Sequence, residues 1–198
     1  MFIDKNGVVR MPKAYLAGTE IFYPDSEETQ KKYHALCEKY GIIGFYPADA
    51  APDDEFKEYE KKDDSLHEME VQMFTHDLNH IKRTDIIIAN LNDYRGNEPD
   101  SGTAVECGLA FGYGHRCFAF IDDARPMTQR FKGVKKTRAD GTVTDKDGAN
   151  LEDFDSPLNL MFCEFTIFEG DFEAALKGIR EIFNAELVAA GYPPFEVK

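Results

Sequence analysis

Three acidic residues stand among apolar or small neighbours instead of in the solvated charge runs found along most of the chain: Asp77 in FTHDLNHIKRTDIII, Asp100 in EPDSG and Glu106 in AVECG. Several carboxylates around one small cleft, without a metal-binding pattern, suit glycosyl chemistry. One attacks the anomeric carbon, and the others hold the sugar and manage the proton of the leaving group. Each acid also has an ordinary reading. Thr103-x-x-Glu106 matches a capping box, in which the glutamate only satisfies a backbone N–H. Asp100 suits a helix cap. Asp77 suits a solvated acid near a helix end, although it lies four residues after Met73 and four before Ile81, against an apolar stripe.

Other chemistries find no support. There is no G-x-x-x-x-G-K-[ST] loop, and the glycines of CGLAFGYG fall inside a helix instead of in the turn before it, so neither an ATPase nor a dinucleotide fingerprint is indicated. No G-x-S-x-G elbow occurs, and the five histidines lack metal-ligand spacing. Asp145 and Asp147 suggest a calcium loop, but the following glycine comes too early for an EF-hand. Cys37, Cys107, Cys117 and Cys163 are too scattered for a zinc site or a disulfide scaffold and read as free buried thiols. No metal or cofactor is expected.

The charge of −14 is spread along the chain, a surface that repels nucleic-acid phosphates and anionic lipid. The N-terminus lacks a signal-peptide h-region, and no run approaches the ~20 apolar residues of a membrane span. The expectation is a soluble cytoplasmic protein that binds neither polymeric nucleic acid nor membrane.

The elements that must position the acids follow from hydrophobic period. Apolar runs at KAYLAG, IIGFYP, DIIIANL and RCFAFID alternate with segments of helical period, which predicts an α/β fold with a parallel sheet. Helices are expected at 25–40, at a stripe of Leu66, Met69, Met73, Phe74, Leu78 and Ile81, at 101–114, and at 171–190 with Phe172, Ala175, Leu176, Ile179, Ile182 and Phe183 inward. Gly102, Gly108 and Gly112 are expected to let the third of these approach the sheet. A short last strand lies near FTIF, 165–168. From about 122 to 157 the pattern fails, and a polar surface excursion with a small hairpin is expected. Residues 1–198 carry no repeat or linker and read as one domain.

YLAGTEIF, THDLNHIKRTDIIIANL, the block DSGTAVECG and NLM at 159–161 resemble the nucleoside 2-deoxyribosyltransferase family in order and spacing. The fold expected is then a flavodoxin-like or Rossmann-like open parallel sheet of five strands with helices on both faces. The resemblance implies that Glu106 is the nucleophile, forming a covalent deoxyribosyl intermediate that a second nucleobase resolves with retention. It further implies that Tyr15 orients that carboxylate, and that Asp77 and Asp100 hold the base and the deoxyribose and assist proton transfer. Gly18, Phe22 and Gly102 join the substrate-binding set. Asn159 and Met161 match a segment that reaches a neighbouring subunit's site, which implies a homo-oligomer with shared sites. Its partners would be a 2′-deoxynucleoside and a free nucleobase.

After FYP the family often has a glutamine that touches the base, where this chain has Ala51; Asp49, Asp53 and Asp54 are the candidate substitutes. A helix N-terminus is expected to lower the pKa of Glu106 and keep it ionised. Two rivals stand beside this reading. One is a 2′-deoxynucleoside 5′-monophosphate N-glycosidase, whose phosphate-binding serine is replaced here by Asp100, an acid that would repel a phosphate dianion. The other is a non-catalytic nucleotide-sensing module.

Overall fold

A computed structural model describes residues 2–3, 7–50 and 65–197. Five strands form one parallel sheet: β1 Lys13–Ala17, β2 Ile43–Phe45, β3 Ile86–Asn90, β4 Arg116–Ile121 and, after the antiparallel hairpin β5 Lys136–Thr137 with β6 Val143–Thr144, β7 Thr166–Glu169. Their order is β2-β1-β3-β4-β7, the flavodoxin-like arrangement. The chain runs from β1 outward to β2 and then crosses back past β1 to place β3 on its other side. The carboxyl ends of β1 and β3 therefore flank a switch point, where an open parallel sheet leaves a crevice.

The strands read as continuous apolar runs because both faces are covered. Ala14, Leu16, Ile86, Ile88, Phe118 and Phe120 point to the face roofed by α1 (Ser26–Lys39) and α5 (Phe172–Ala189). Tyr15, Ala17, Ile87, Ala89, Cys117, Ala119 and Ile121 point to the other face, where Ile81 of α2 (Leu66–Arg83) and Cys107 and Ala110 of α3 (Ser101–Gly112) join them. Each large aliphatic side chain buried this way contributes about 1.5–3 kcal/mol. Among the described residues no helix is long and apolar enough to cross a membrane.

Three local expectations are corrected. The stripe on α2 is largely in solvent, with Leu66 85%, Met73 61% and Phe74 54% exposed, because only the last turns of that helix reach the sheet. The glycines of α3 do not face the sheet: Gly102, Gly108 and Gly112 are exposed, and a Cβ at Gly108 or Gly112 would meet nothing. The close approach occurs on α5 instead, where a Cβ at Gly178 would stand 2.2 Å from the Phe168 ring of β7. Finally, Cys37, Cys107 and Cys117 are buried and free, but Cys163 is exposed.

The excursion contains the expected hairpin and a short helix, α4 Met127–Arg130. Asp145 accepts hydrogen bonds from the amides of Asp147 and Ala149 at 2.9 Å each, so its carboxylate closes a turn.

Candidate active site

Glu106 and Tyr15 meet on the α3 face near the switch point. Tyr15, fully buried in the middle of β1, donates its hydroxyl to Glu106 Oε1 at 2.5 Å. Asp77, on the part of α2 that reaches the sheet, bears on the same hydroxyl. Asp100 is the N-cap of α3: its Oδ2 accepts from the Thr103 amide at 3.0 Å and from the Thr103 hydroxyl at 3.3 Å. The charges of Asp77 and Asp100 both act on Glu106, so the three acids form one electrostatic group.

This arrangement overturns the capping-box reading of Glu106. The cap is Asp100, Thr103 is a buried residue inside the helix, and the Glu106 carboxylate faces Tyr15. The expected effect of the helix start is overturned as well. Glu106 is the sixth residue of α3, beyond the first turn to which the dipole's influence is confined. Burial, with the charges of Asp77 and Asp100 adding to it, pushes the carboxyl up to about 7 against the lowering effect of the Tyr15 hydrogen bond. Burial likewise raises Asp77, opposed by the charge of His76 and by Tyr15. Burial, then the charges of Glu106 and Asp77, raise Tyr15, which stays a protonated donor.

The rest of the predicted set is placed unevenly. Gly18 follows β1, and a Cβ there would stand 2.2 Å from Glu20 Oε2 and 2.9 Å from Asn90 Cβ, so the glycine lets those two side chains meet. Phe22, 61% exposed, stacks on Tyr94 at 5.9 Å and links the loop after β1 to the loop after β3. Gly102 leaves space beside Asp100, whose Oδ2 would lie 3.0 Å from an added Cβ. Asp49 is taken up by its own chain, accepting from Gln30 Nε2 at 2.6 Å and the Tyr46 amide at 2.7 Å and pairing with His34 at 2.8 Å. Among the described residues no contact joins Asp49 to the Tyr15–Glu106 pair; Ala51, Asp53 and Asp54 lie outside them. Asn159 caps the short turn Leu160–Phe162 by accepting from the Met161 amide at 3.0 Å, and Met161 is 77% exposed. No described contact within one subunit joins either residue to Glu106.

Several polar residues at this edge were not anticipated. Asn90 and Tyr33 donate to Glu20 Oε1 at 2.7 Å each, and Asn90 Oδ1 accepts from the Asn92 amide at 3.0 Å. A polar residue closing the apolar run DIIIANL was the available signal. His76 and His80, one turn apart on α2, bring their rings to 4.3 Å. Among the described residues no group of three His, Cys, Asp or Glu that could hold a metal ion occurs. Two surface hollows, of about 170 Å³ beside Phe111 and Arg116 and of about 310 Å³ beside Arg180 and Val197, include none of the three acids. The ionisable groups converge instead near the switch point of the sheet.

The chain is similar to a 2-deoxyribosyltransferase from Leishmania mexicana, with 28% identity, 85% of this chain and 96% of that one covered, and a TM-score of 0.63. It is also 24% identical over 191 residues to an uncharacterised protein of Schizosaccharomyces pombe, covering 90% of this chain and 88% of that protein. The family model for nucleoside 2-deoxyribosyltransferases matches residues 14–161, a span that contains Tyr15, Asp77, Asp100, Glu106 and Asn159. By that match the chain belongs to the nucleoside 2-deoxyribosyltransferase family.

Proposed function

We propose that this protein exchanges the nucleobase of a 2′-deoxynucleoside through a deoxyribosyl-Glu106 intermediate, with cytoplasmic nucleoside salvage as its setting. The observation that carries the reading is the Tyr15–Glu106 hydrogen bond set between two further acids at the sheet's switch point. The ionised fraction of Glu106 attacks C1′ as the bond from C1′ to the base nitrogen breaks, forming an ester with the sugar. Asp77, whose pKa is raised by burial and which bears on the same Tyr15 hydroxyl as Glu106, is the acid that supplies the proton the departing base needs. A second base then attacks C1′ from the face the first one left, returns the carboxylate and gives its proton back to Asp77. Two inversions amount to retention.

Asp100 accepts from the sugar's free 5′-hydroxyl, a role that a phosphate dianion in its place would oppose. The active form is an oligomer. Support comes from the exposed Met73 and Phe74 of α2 and Val105 of α3, large apolar side chains in solvent of the kind an interface covers. The segment Asn159–Met161, with Leu160 and Met161 exposed, is the part a neighbour would receive.

Incubating the protein with 2′-deoxyadenosine and a second free base, followed by chromatography, tests the reading. A new deoxynucleoside is the expected result. Free deoxyribose without a new nucleoside replaces transfer by hydrolysis, and an unchanged mixture from folded protein overturns the catalytic reading.

A further inference from the structure

The excursion between β4 and β7 is more than surface decoration, because two of its residues grip the loop that leads into Asp100. Arg130, the last residue of α4, is buried, with 6% of its side chain exposed, and its Nη1 pairs with the equally sequestered Asp93 at 11%. Asp93 lies just beyond β3, in the loop from 91 to 100 whose last residue caps α3. The same guanidinium donates through Nε to the carbonyl of Pro157 at 2.7 Å, two residues before Asn159.

A second grip surrounds the first. Lys132 Nζ reaches Asp93 Oδ2 at 2.9 Å, and the Asn97 side chain closes a pair of hydrogen bonds with the Lys132 backbone, donating to its carbonyl at 3.1 Å and accepting from its amide at 2.6 Å. The Asn159 side chain interacts with Glu98 of that loop, and the Leu160 amide donates to Glu152 Oε2 at 2.6 Å. The loop before Asp100 and the segment carrying Asn159 are thus joined to each other and to the excursion.

A buried ion pair is a poor source of stability, since desolvation offsets most of the attraction. Its value lies in geometry: a planar guanidinium with fixed donor directions holds two partners at one spacing, which an apolar contact or a lysine does not. We propose that Arg130 is a positioning residue, and that the 122–157 excursion exists to hold the Asp100 loop where the sugar needs it, by fixing it against the segment that carries Asn159. The inference rests on the deoxyribosyl-transfer reading for its consequence in catalysis, but the tether itself is independent of it.

Three variants test it: Arg130→Met, Arg130→Lys, and Asp93→Leu with Arg130→Met. In Arg130→Met the KM for the deoxynucleoside should rise about tenfold with a smaller change in kcat, because a hold on the sugar is lost in the ground state as well as in the transition state. Arg130→Lys should recover little, since one ammonium cannot keep both contacts. The double variant leaves no buried charge unpaired, so its melting temperature should return toward the wild-type value while the raised KM persists. A double variant with wild-type KM overturns the inference, and it carries the test if Arg130→Met fails to fold. Amide hydrogen exchange reads the tether without activity. Residues 91–100 and 157–161 should lose protection together in the folded Arg130-substituted proteins, and wild-type protection in either segment sinks the tether. Wild-type protein that exchanges no base, with protection lost as described, would overturn the transfer reading and leave the tether standing.

Discussion

Helices α2 and α5 have the same length, 18 residues, and similar apolar period, yet they are used in opposite ways. The buried face of α5 comprises Phe172, Ala175, Leu176, Ile179, Arg180, Phe183 and Leu187, and even its arginine is satisfied, donating to the carbonyls of Tyr40 and Gly41 at 2.7 and 2.9 Å. On α2 only His80 and Ile81 are buried, and Met73 and Phe74 stand in solvent. Period reports that a helix has an apolar face, not what covers it. The helix that lies fully on the sheet is scaffold. The helix that meets the sheet only at its end carries Asp77 on the turns that reach the sheet and leaves Met73 and Phe74, one turn earlier, in solvent.

The strongest way to sharpen this contrast is at Glu106. Glu106→Gln should lower base exchange by at least about a thousandfold while the protein stays folded. It should also stabilise the fold at alkaline pH. The folded pKa of Glu106 is raised, so its contribution to stability is fully present below the unfolded value of 4.5 and is lost as pH rises to about 7. That loss, up to about 3 kcal/mol, is spared in the amide. Thermal melts at pH 8 should favour Glu106→Gln by a margin that shrinks toward pH 4. A variant less stable than wild type at pH 8 would contradict the buried, raised carboxylate.

On the scaffold side, Ile179→Ala removes a fully buried side chain and should cost about 2–5 kcal/mol in denaturant unfolding, leaving KM unchanged. A marked change in KM at little cost in stability would abolish the distinction between the two faces.

A smaller effect is expected at Tyr15→Phe, which keeps the ring and deletes the hydrogen bond that lowers Glu106. Exchange at pH 7 should fall about ten- to a hundredfold, with the acidic limb of the pH profile displaced to higher pH. An unmoved limb would show that the hydroxyl does not tune the acid. The smallest effect is expected at Phe74→Ser on the exposed stretch of α2: unfolding of the monomer within about 0.5 kcal/mol of wild type, but weaker self-association by sedimentation. A cost comparable to that of Ile179→Ala would place Phe74 in the core instead.

The strands and helix positions were legible because a parallel sheet covered on both faces writes itself as apolar runs between periodic segments, as in DIIIANL and the closing helix. Asp77, Asp100 and Glu106 stood out because acids interrupt or adjoin those runs, whereas Tyr15, a tyrosine within a strand, was singled out only by the family resemblance. What the sequence hid depends on tertiary distance. The partners of Asp49 come from α1 and a neighbouring amide, and nothing local to FYPAD announces Gln30 and His34. The raised pKa of Glu106 was missed because the motif suggested a helix start, whereas burial against Tyr15 sets the ionisation. The buried pair of Asp93 and Arg130 joins residues 37 positions apart, across a stretch that reads as polar surface.

Asp100 divides its labour between its two oxygens. Both hydrogen bonds that start α3 fall on Oδ2, and no described residue occupies Oδ1. One atom caps the helix and the other takes no part in the cap, so exchanging the acid for another capping residue alters what that second position offers. An asparagine would keep the cap through its carbonyl oxygen and present an amide donor where an acceptor stood. A serine would spend its single oxygen on the cap or lend it to a ligand, but could not give a separate atom to each. Helix caps are commonly interchangeable in folding; under the proposed transfer reaction, the choice among equivalent caps becomes a choice of which group on a sugar can be received.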